Sequence, residues 1–152
     1  MSDNPLIDYA GQPPFSAIQP EHVEPAVKQL IESGRRVIDE VLERGDFSWD
    51  GLVAPLEAED ERLSRAFGPV GHLNAVKQTD ELRQAYNACL PLLSEYSTEV
   101  GQNGELYRAY QQLRDSDEFA SLTAAQQKDI DNTLRDFRLS GVSLEEEKKK
   151  QF

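Results

Sequence analysis

Cysteine and histidine, the residues on which most nucleophilic and metal sites depend, are scarce in this chain of 152 residues. It contains one cysteine, Cys89, and two histidines, His22 and His72. A single cysteine excludes an intramolecular disulfide and favours a reducing compartment. A zinc site needs three or four converging ligands, often two on one helical turn or in a Cys-x-x-Cys pair, and neither arrangement occurs here.

Positive charge is also in short supply, since 16 lysines and arginines face 28 acidic residues, for a formal net charge of −12. A nucleic-acid partner needs an excess of cations to neutralise phosphates, and an anionic membrane surface needs a basic patch. No stretch approaches the roughly 18 apolar residues that a membrane-spanning helix requires. Residues 1–15 have neither a basic segment nor an apolar run, so they do not form a secretory signal. We expect a soluble cytoplasmic protein that binds neither nucleic acid nor membrane.

For each residue that could act in catalysis or metal binding, a structural role is favoured over the chemical one. We expect His22 and His72 to cap a helix or to hydrogen-bond at a helix junction. Cys89 lies in an apolar stripe, so we expect a buried small hydrophobic residue and not a nucleophile. The acidic stretches at residues 57–62 and 115–118 suit solvated helix faces, although paired carboxylates in a cleft can perform acid–base chemistry. The residues therefore predict no catalytic residue and no metal ligand, and they leave the substrate-binding residues unknown.

Apolar residues recur every three or four positions through most of the chain, which predicts amphipathic helices. Capping residues mark helix starts at Ser48, Thr79 and Thr123, and glycines mark helix ends at Gly45 and Gly141. No segment shows the two-residue alternation of a half-buried strand. The predicted fold class is all-α, with five or six mostly antiparallel helices in a bundle-like domain behind an extended N-terminal arm.

The domain boundaries follow from the same signals. Residues 1–19 are rich in proline and glycine and predict the arm, whereas residues 20–142 predict the helical domain. The pair Gly68-Pro69 is expected to end or bend a helix within it. Residues 143–152 predict the start of a truncated helix, because Ser143 and Glu146 have capping-box spacing and acid–base pairs follow.

Three stretches in order resemble one family. "PPFSAIQPEHVEPAVKQLI" at residues 13–31 resembles the opening of the thimet oligopeptidase family of zinc metallopeptidases. "GPVGHLNAVKQTDELRQAYNACLPLLSEYSTEVGQNGELYRAYQQL" at residues 68–113 is similar to its bacterial branch. "LRDFRLSGVSLEEEKKKQF" at residues 134–152 resembles the next segment. The likeness is colinear over nearly the whole chain.

This resemblance implies a much longer, almost entirely helical enzyme with two lobes around a deep channel that admits short peptides. Its zinc is held by a His-Glu-x-x-His helix and a later glutamate, all beyond position 152, so the chain alone is expected to be inactive and to hold no zinc. The chain is then the N-terminal domain and part of the channel wall. Its expected partners are the catalytic remainder of its own chain and, for the whole enzyme, short peptides. The alternative is a self-sufficient helical module that binds a protein partner and has no enzymatic role.

Overall fold

A computed structural model describes residues 4–142 of the chain. Within these residues six α-helices and no strand are present, so the all-α prediction is confirmed. The helices are α1 (Pro20–Arg44), α2 (Ala54–Val76), α3 (Asp80–Gly101), α4 (Gly104–Arg114), α5 (Asp117–Ser121) and α6 (Ala124–Leu139). A 3-10 turn at Phe15–Ala17 precedes α1, and a π-helical turn at Trp49–Val53 precedes α2. The predicted helix at residues 143–152 lies outside the described residues.

Local capping chemistry sets most of the helix boundaries. The Thr79 hydroxyl accepts the Leu82 N–H at 3.2 Å at the start of α3. Thr123 and Gln126 form a reciprocal capping box at the start of α6. Gly141 ends that helix with a φ of 82°, a left-handed conformation that a side chain disfavours. These three predictions from the sequence are confirmed.

Helix α2 does not end at Gly68-Pro69, which was one of the two predicted alternatives, but continues to Val76. A proline inside a helix has no N–H to donate, so the carbonyl four residues earlier loses its partner. Here that carbonyl belongs to Arg65, and it accepts the Tyr9 hydroxyl at 2.7 Å. The N-terminal arm thus satisfies the carbonyl that the proline leaves free.

The chain forms two compact units, of which the first comprises Met1–Val37 and Leu56–Tyr96. Its described core combines the arm with faces of α1, α2 and α3. The buried apolar residues are Leu6, Ile7, Ile18, Val23, Ala26, Val27, Leu30, Ile31, Ala66, Val70, Leu73, Leu82, Cys89 and Tyr96. A side chain at Gly34 would collide with the Tyr96 ring hydroxyl, so this glycine allows α1 and α3 to approach closely.

The second unit comprises Ile38–Pro55 and Ser97–Phe152. In its described part α4 packs against α6, α5 and the π-helical turn. The Phe137 ring of α6 lies between two tyrosines of α4, with centroids 5.6 Å from Tyr107 and 5.8 Å from Tyr110. The π-helical turn is held from both sides, since Ser48 accepts the Gly51 N–H at 3.0 Å and Glu118 accepts the Trp49 N–H at 3.3 Å.

Candidate functional sites

His22 stabilises the start of α1. Its Nδ1 accepts the Gln19 N–H at 3.0 Å, and the Gln19 carbonyl accepts the His22 N–H at 3.0 Å. The His22 carbonyl also accepts the Asn4 side-chain amide at 2.7 Å, which ties the arm to the helix. The helix-capping role predicted for His22 is confirmed, because its ring nitrogen replaces the acceptor of a capping box.

His72 has a different role from the predicted hydrogen bond. It lies exposed on α2, and its ring packs against Phe15 with centroids 5.5 Å apart. The residues that the structure describes contain no group of three or more His, Cys, Asp or Glu side chains that could hold a metal ion.

Cys89 is completely buried on α3, as the sequence predicts. Burial raises the pKa of its thiol to about 11; the Glu24 carboxylate adds to this, and Lys28 partly offsets it. A nucleophilic or metal-binding cysteine needs an accessible thiolate. The thiol stays protonated at neutral pH and fills space in the core.

The acidic stretch at residues 57–62 contributes to a hydrogen-bonded network on α1 and α2. The Glu59 carboxylate accepts the Ser33 hydroxyl at 2.8 Å and an Arg62 guanidinium N–H at 3.1 Å. Partial burial and the Glu59 charge raise the pKa of the neighbouring Asp60 carboxyl. The solvated-face prediction thus holds for exposed residues such as Glu61 but not for Glu59, whose carboxylate binds two partners.

A cavity of about 420 Å³ opens beside this network and is called the polar cleft below. Its lining consists of Gln29, Leu30, Glu32, Ser33, Arg36 and Arg62. Two acids lie within or beside it, and both are neutralised, Glu32 by Arg35 and Glu59 by Arg62. The Ser33 hydroxyl, the Glu59 carboxylate and the Arg62 guanidinium are hydrogen-bonded to one another, so the network links helices α1 and α2. None of these three groups is an activated nucleophile.

A second cavity, of about 230 Å³, lies between the 3-10 turn, α2 and α3 and is called the apolar groove below. Its lining consists of Phe15, Ser16, Ile18, Gln19, Pro20, Leu73, Lys77, Thr79 and Leu82. Ile18, Leu73 and Leu82 are buried and form its floor, whereas 39% of Phe15 remains exposed. The lining contains one cation and no acid, which is notable in a chain of net charge −12.

Sequence reasoning anticipated neither cavity. The groove combines residues of the arm with residues about sixty positions later, and helical periodicity within one segment carries no information on such pairing. One signal was present, since Phe15 directly follows the proline pair Pro13-Pro14 in the arm. An aromatic residue placed there indicates a contact between the arm and the domain.

Comparison with known proteins identifies the family. The family model for the neurolysin/thimet oligopeptidase N-terminal domain matches residues 27–149. The chain belongs to this family. The arm lies before the matched region, but the pairwise matches to individual relatives cover 98% of the chain or more.

The relatives are much longer than this chain. It is 53% identical over 149 residues to oligopeptidase A of Haemophilus influenzae, covering 98% of the chain and 22% of the relative. It is 50% identical over 150 residues to oligopeptidase A of Escherichia coli, again covering 98% of the chain and 22% of the relative. A protein of Arabidopsis thaliana described as probable cytosolic oligopeptidase A is 33% identical over 152 residues, covering 100% of the chain and 22% of the relative. The chain thus corresponds to the N-terminal domain of oligopeptidase A and spans about a fifth of these proteins.

Within the described residues no helix combines the length and the hydropathy that crossing a bilayer demands.

Proposed function

We propose that this chain is the N-terminal domain of a zinc-dependent oligopeptidase that hydrolyses short peptides, and that it forms part of the wall of the substrate channel. The observation that carries the proposal is the 53% identity over 98% of the chain to oligopeptidase A from Haemophilus influenzae, together with the match to the N-terminal domain of the family. On this proposal the catalytic residues and the zinc ligands lie beyond position 152. The zinc would activate a water molecule for attack on the peptide bond.

These residues would therefore contribute by binding the peptide and by excluding bulky substrates from the channel. A channel wall needs rigid helices that hold their spacing while peptides pass. Gly34 against Tyr96 and the Ser33–Glu59–Arg62 network both fix helices of the first unit to one another. Rigid walls keep the width of the channel fixed, so the channel admits short peptides and excludes folded proteins.

The domain boundaries belong to the same proposal. The proposed boundaries are residues 1–19 for the arm and residues 20–142 for the helical domain, and the predicted helix start at residues 143–152 lies outside the described residues. The contacts of Tyr9 with Arg65 and of Asn4 with His22 support an arm that is laid over the domain. Limited proteolysis of the whole enzyme is expected to spare residues 4–19 and helix α1.

We also propose a cytoplasmic location. The free thiol of Cys89 is compatible with a reducing compartment, and one plant relative is described as cytosolic. Cell fractionation with an antibody against this domain tests the location directly, and recovery in the membrane or secreted fraction would contradict it.

The length of the native gene tests the proposed function. A reading frame that continues past Phe152 into a His-Glu-x-x-His segment supports a peptidase domain. A natural stop codon after Phe152 would contradict the proposal and favour the self-sufficient interaction module.

A further inference from the structure

The apolar groove is large enough for one apolar side chain. Its volume is about 230 Å³, and an apolar cavity of about 150 Å³ is sufficient to bind benzene. Its floor of Ile18, Leu73 and Leu82 is buried, and the Phe15 ring forms one wall where it packs against His72. Val76, directly before Lys77, exposes 62% of its surface and is one of four large apolar residues exposed in the described part of the chain.

The rim of the groove carries one cation, Lys77. Lys77 lines the groove, is exposed, and makes no ion pair with any residue that the structure describes. The nearest acid in sequence among the described residues, Asp80, pairs with Arg83 at 2.9 Å. Ser16 and Gln19 add a hydroxyl and a carboxamide to the same lining. A ligand that complements this surface has an apolar side chain and a negative charge close to it.

We propose that the apolar groove binds the C-terminal residue of a short peptide that ends in an apolar side chain, with its free carboxylate at Lys77. This inference rests on the proposed function, which supplies peptides as the ligand class. Charge complementarity selects the C-terminus, because a peptide N-terminus would place its ammonium group beside another cation. Apolar burial contributes affinity, and the charge pair selects a free carboxylate over a carboxamide.

A titration of the 152-residue chain tests the groove. The probes are N-acetyl-alanyl-leucine with a free carboxylate, the same dipeptide as its C-terminal amide, and N-acetyl-alanyl-alanine. Amide NMR shifts of Leu73, Lys77 and Leu82 report binding at the groove. We expect the free leucine acid to bind about 3- to 5-fold more tightly than its amide, which corresponds to one exposed charge pair, and more tightly than the alanine peptide. Equal binding of acid and amide, or no shift at these three amides, overturns the proposal.

Two lysine variants distinguish a local effect of Lys77 at the groove from a general effect of net charge. Lys77→Gln is expected to abolish the preference for the acid over the amide, whereas Lys128→Gln, an exposed lysine on α6, leaves it unchanged. An equal loss in both variants shows only a non-specific effect of net charge and contradicts the proposal. Phe15→Ala is expected to weaken the acid and the amide together by about 5-fold, because it removes the apolar wall.

Experiments on the full-length enzyme distinguish failure of the groove proposal from failure of the proposed function. In the extended protein Lys77→Gln is expected to raise KM for peptides with a free apolar C-terminus and to leave kcat and the KM of amidated peptides unchanged. If the Lys77 side-chain amine instead reacts more slowly with an amine-labelling reagent in the extended protein without peptide than in the 152-residue chain, a segment of the longer chain covers the groove and the proposal fails. Neither result affects the gene-length test of the proposed function, and a stop codon after Phe152 leaves the titration outcome intact.

Discussion

The polar cleft and the apolar groove belong to the same compact unit but treat their polar groups in opposite ways. In the cleft, the Glu59 carboxylate accepts hydrogen bonds from Ser33 and Arg62, and the network is closed. In the groove, Lys77 makes no ion pair in the described part of the chain, and the floor below it is apolar. The larger cavity is therefore the one whose charges are already neutralised.

This difference distinguishes residues that stabilise the fold from residues that are available to bind a ligand. A satisfied polar group contributes to stability, and removing its partner costs free energy even when no ligand is bound. An exposed cation without a partner contributes little to stability and remains available for a ligand. Substitutions in the cleft should therefore change the free energy of unfolding, whereas substitutions at the groove rim should change binding.

The largest expected effect comes from the groove floor, which is shared with the core. Leu73→Ala should lower the free energy of unfolding by about 2–4 kcal/mol, because it leaves a cavity where a buried leucine was packed. Leu90→Ala on α3 is the matched control, since Leu90 is 42% exposed, and it should cost less than about 1 kcal/mol. Urea denaturation measures both. Equal losses would show that the floor is not part of the core.

The next effect distinguishes the cleft from the groove rim directly. Glu59→Gln should lower the free energy of unfolding by about 1–2 kcal/mol, because Arg62 loses a charged acceptor and Ser33 a strong one. Lys77→Gln should change it by less than about 0.5 kcal/mol. Thermal and urea unfolding of the two variants provide the comparison. A larger loss for Lys77→Gln would reverse the roles assigned to the two cavities.

Two hydroxyls within the groove allow a finer test. The Thr79 hydroxyl caps α3, so Thr79→Ala should cost about 1 kcal/mol of stability. The Ser16 hydroxyl binds no described residue, so Ser16→Ala should stay within about 0.5 kcal/mol of the unsubstituted protein. A comparable loss of stability in the two variants would show that the Ser16 hydroxyl also has a structural partner.

The smallest effect is a change in pH dependence at the edge of the cleft. Partial burial and Glu59 raise the pKa of Asp60 in the folded protein above its unfolded value. The folded state therefore binds the proton more tightly, and the contribution of Asp60 to stability falls as pH rises from the unfolded pKa through the folded one. Asp60→Asn removes this component. The free energy of unfolding of the variant, relative to that of the unsubstituted protein, should rise between pH 3 and pH 7, and a difference that does not change with pH would contradict the shift.

Local chemistry explains why much of the fold was predictable from sequence. The caps at Thr79 and Thr123 and the left-handed Gly141 depend on residues three or four positions apart, so a single segment contains the whole signal. The burial of Cys89 follows from its place in an apolar stripe, which is also a local pattern. The structure confirms each of these predictions.

Features that depend on distant residues were not predictable. Helix α2 continues past Pro69 because Tyr9, in the arm, supplies the missing hydrogen bond to Arg65. The π-helical turn depends on Glu118, which binds the Trp49 N–H from far along the chain. The two cavities likewise arise from segments that meet only in the folded protein, so the sequence left the substrate-binding residues unknown.

We propose that this chain is the N-terminal domain of a peptidase whose catalytic residues lie beyond position 152. Hydrolysis of an internally quenched short peptide tests it most directly when the 152-residue chain is assayed beside the gene product extended to the length of its relatives. Zinc content after dialysis should be measured on the same samples. We expect hydrolysis and one equivalent of zinc for the extended protein, and neither for the 152-residue chain. Peptide hydrolysis or retention of one zinc equivalent by the 152-residue chain would contradict it.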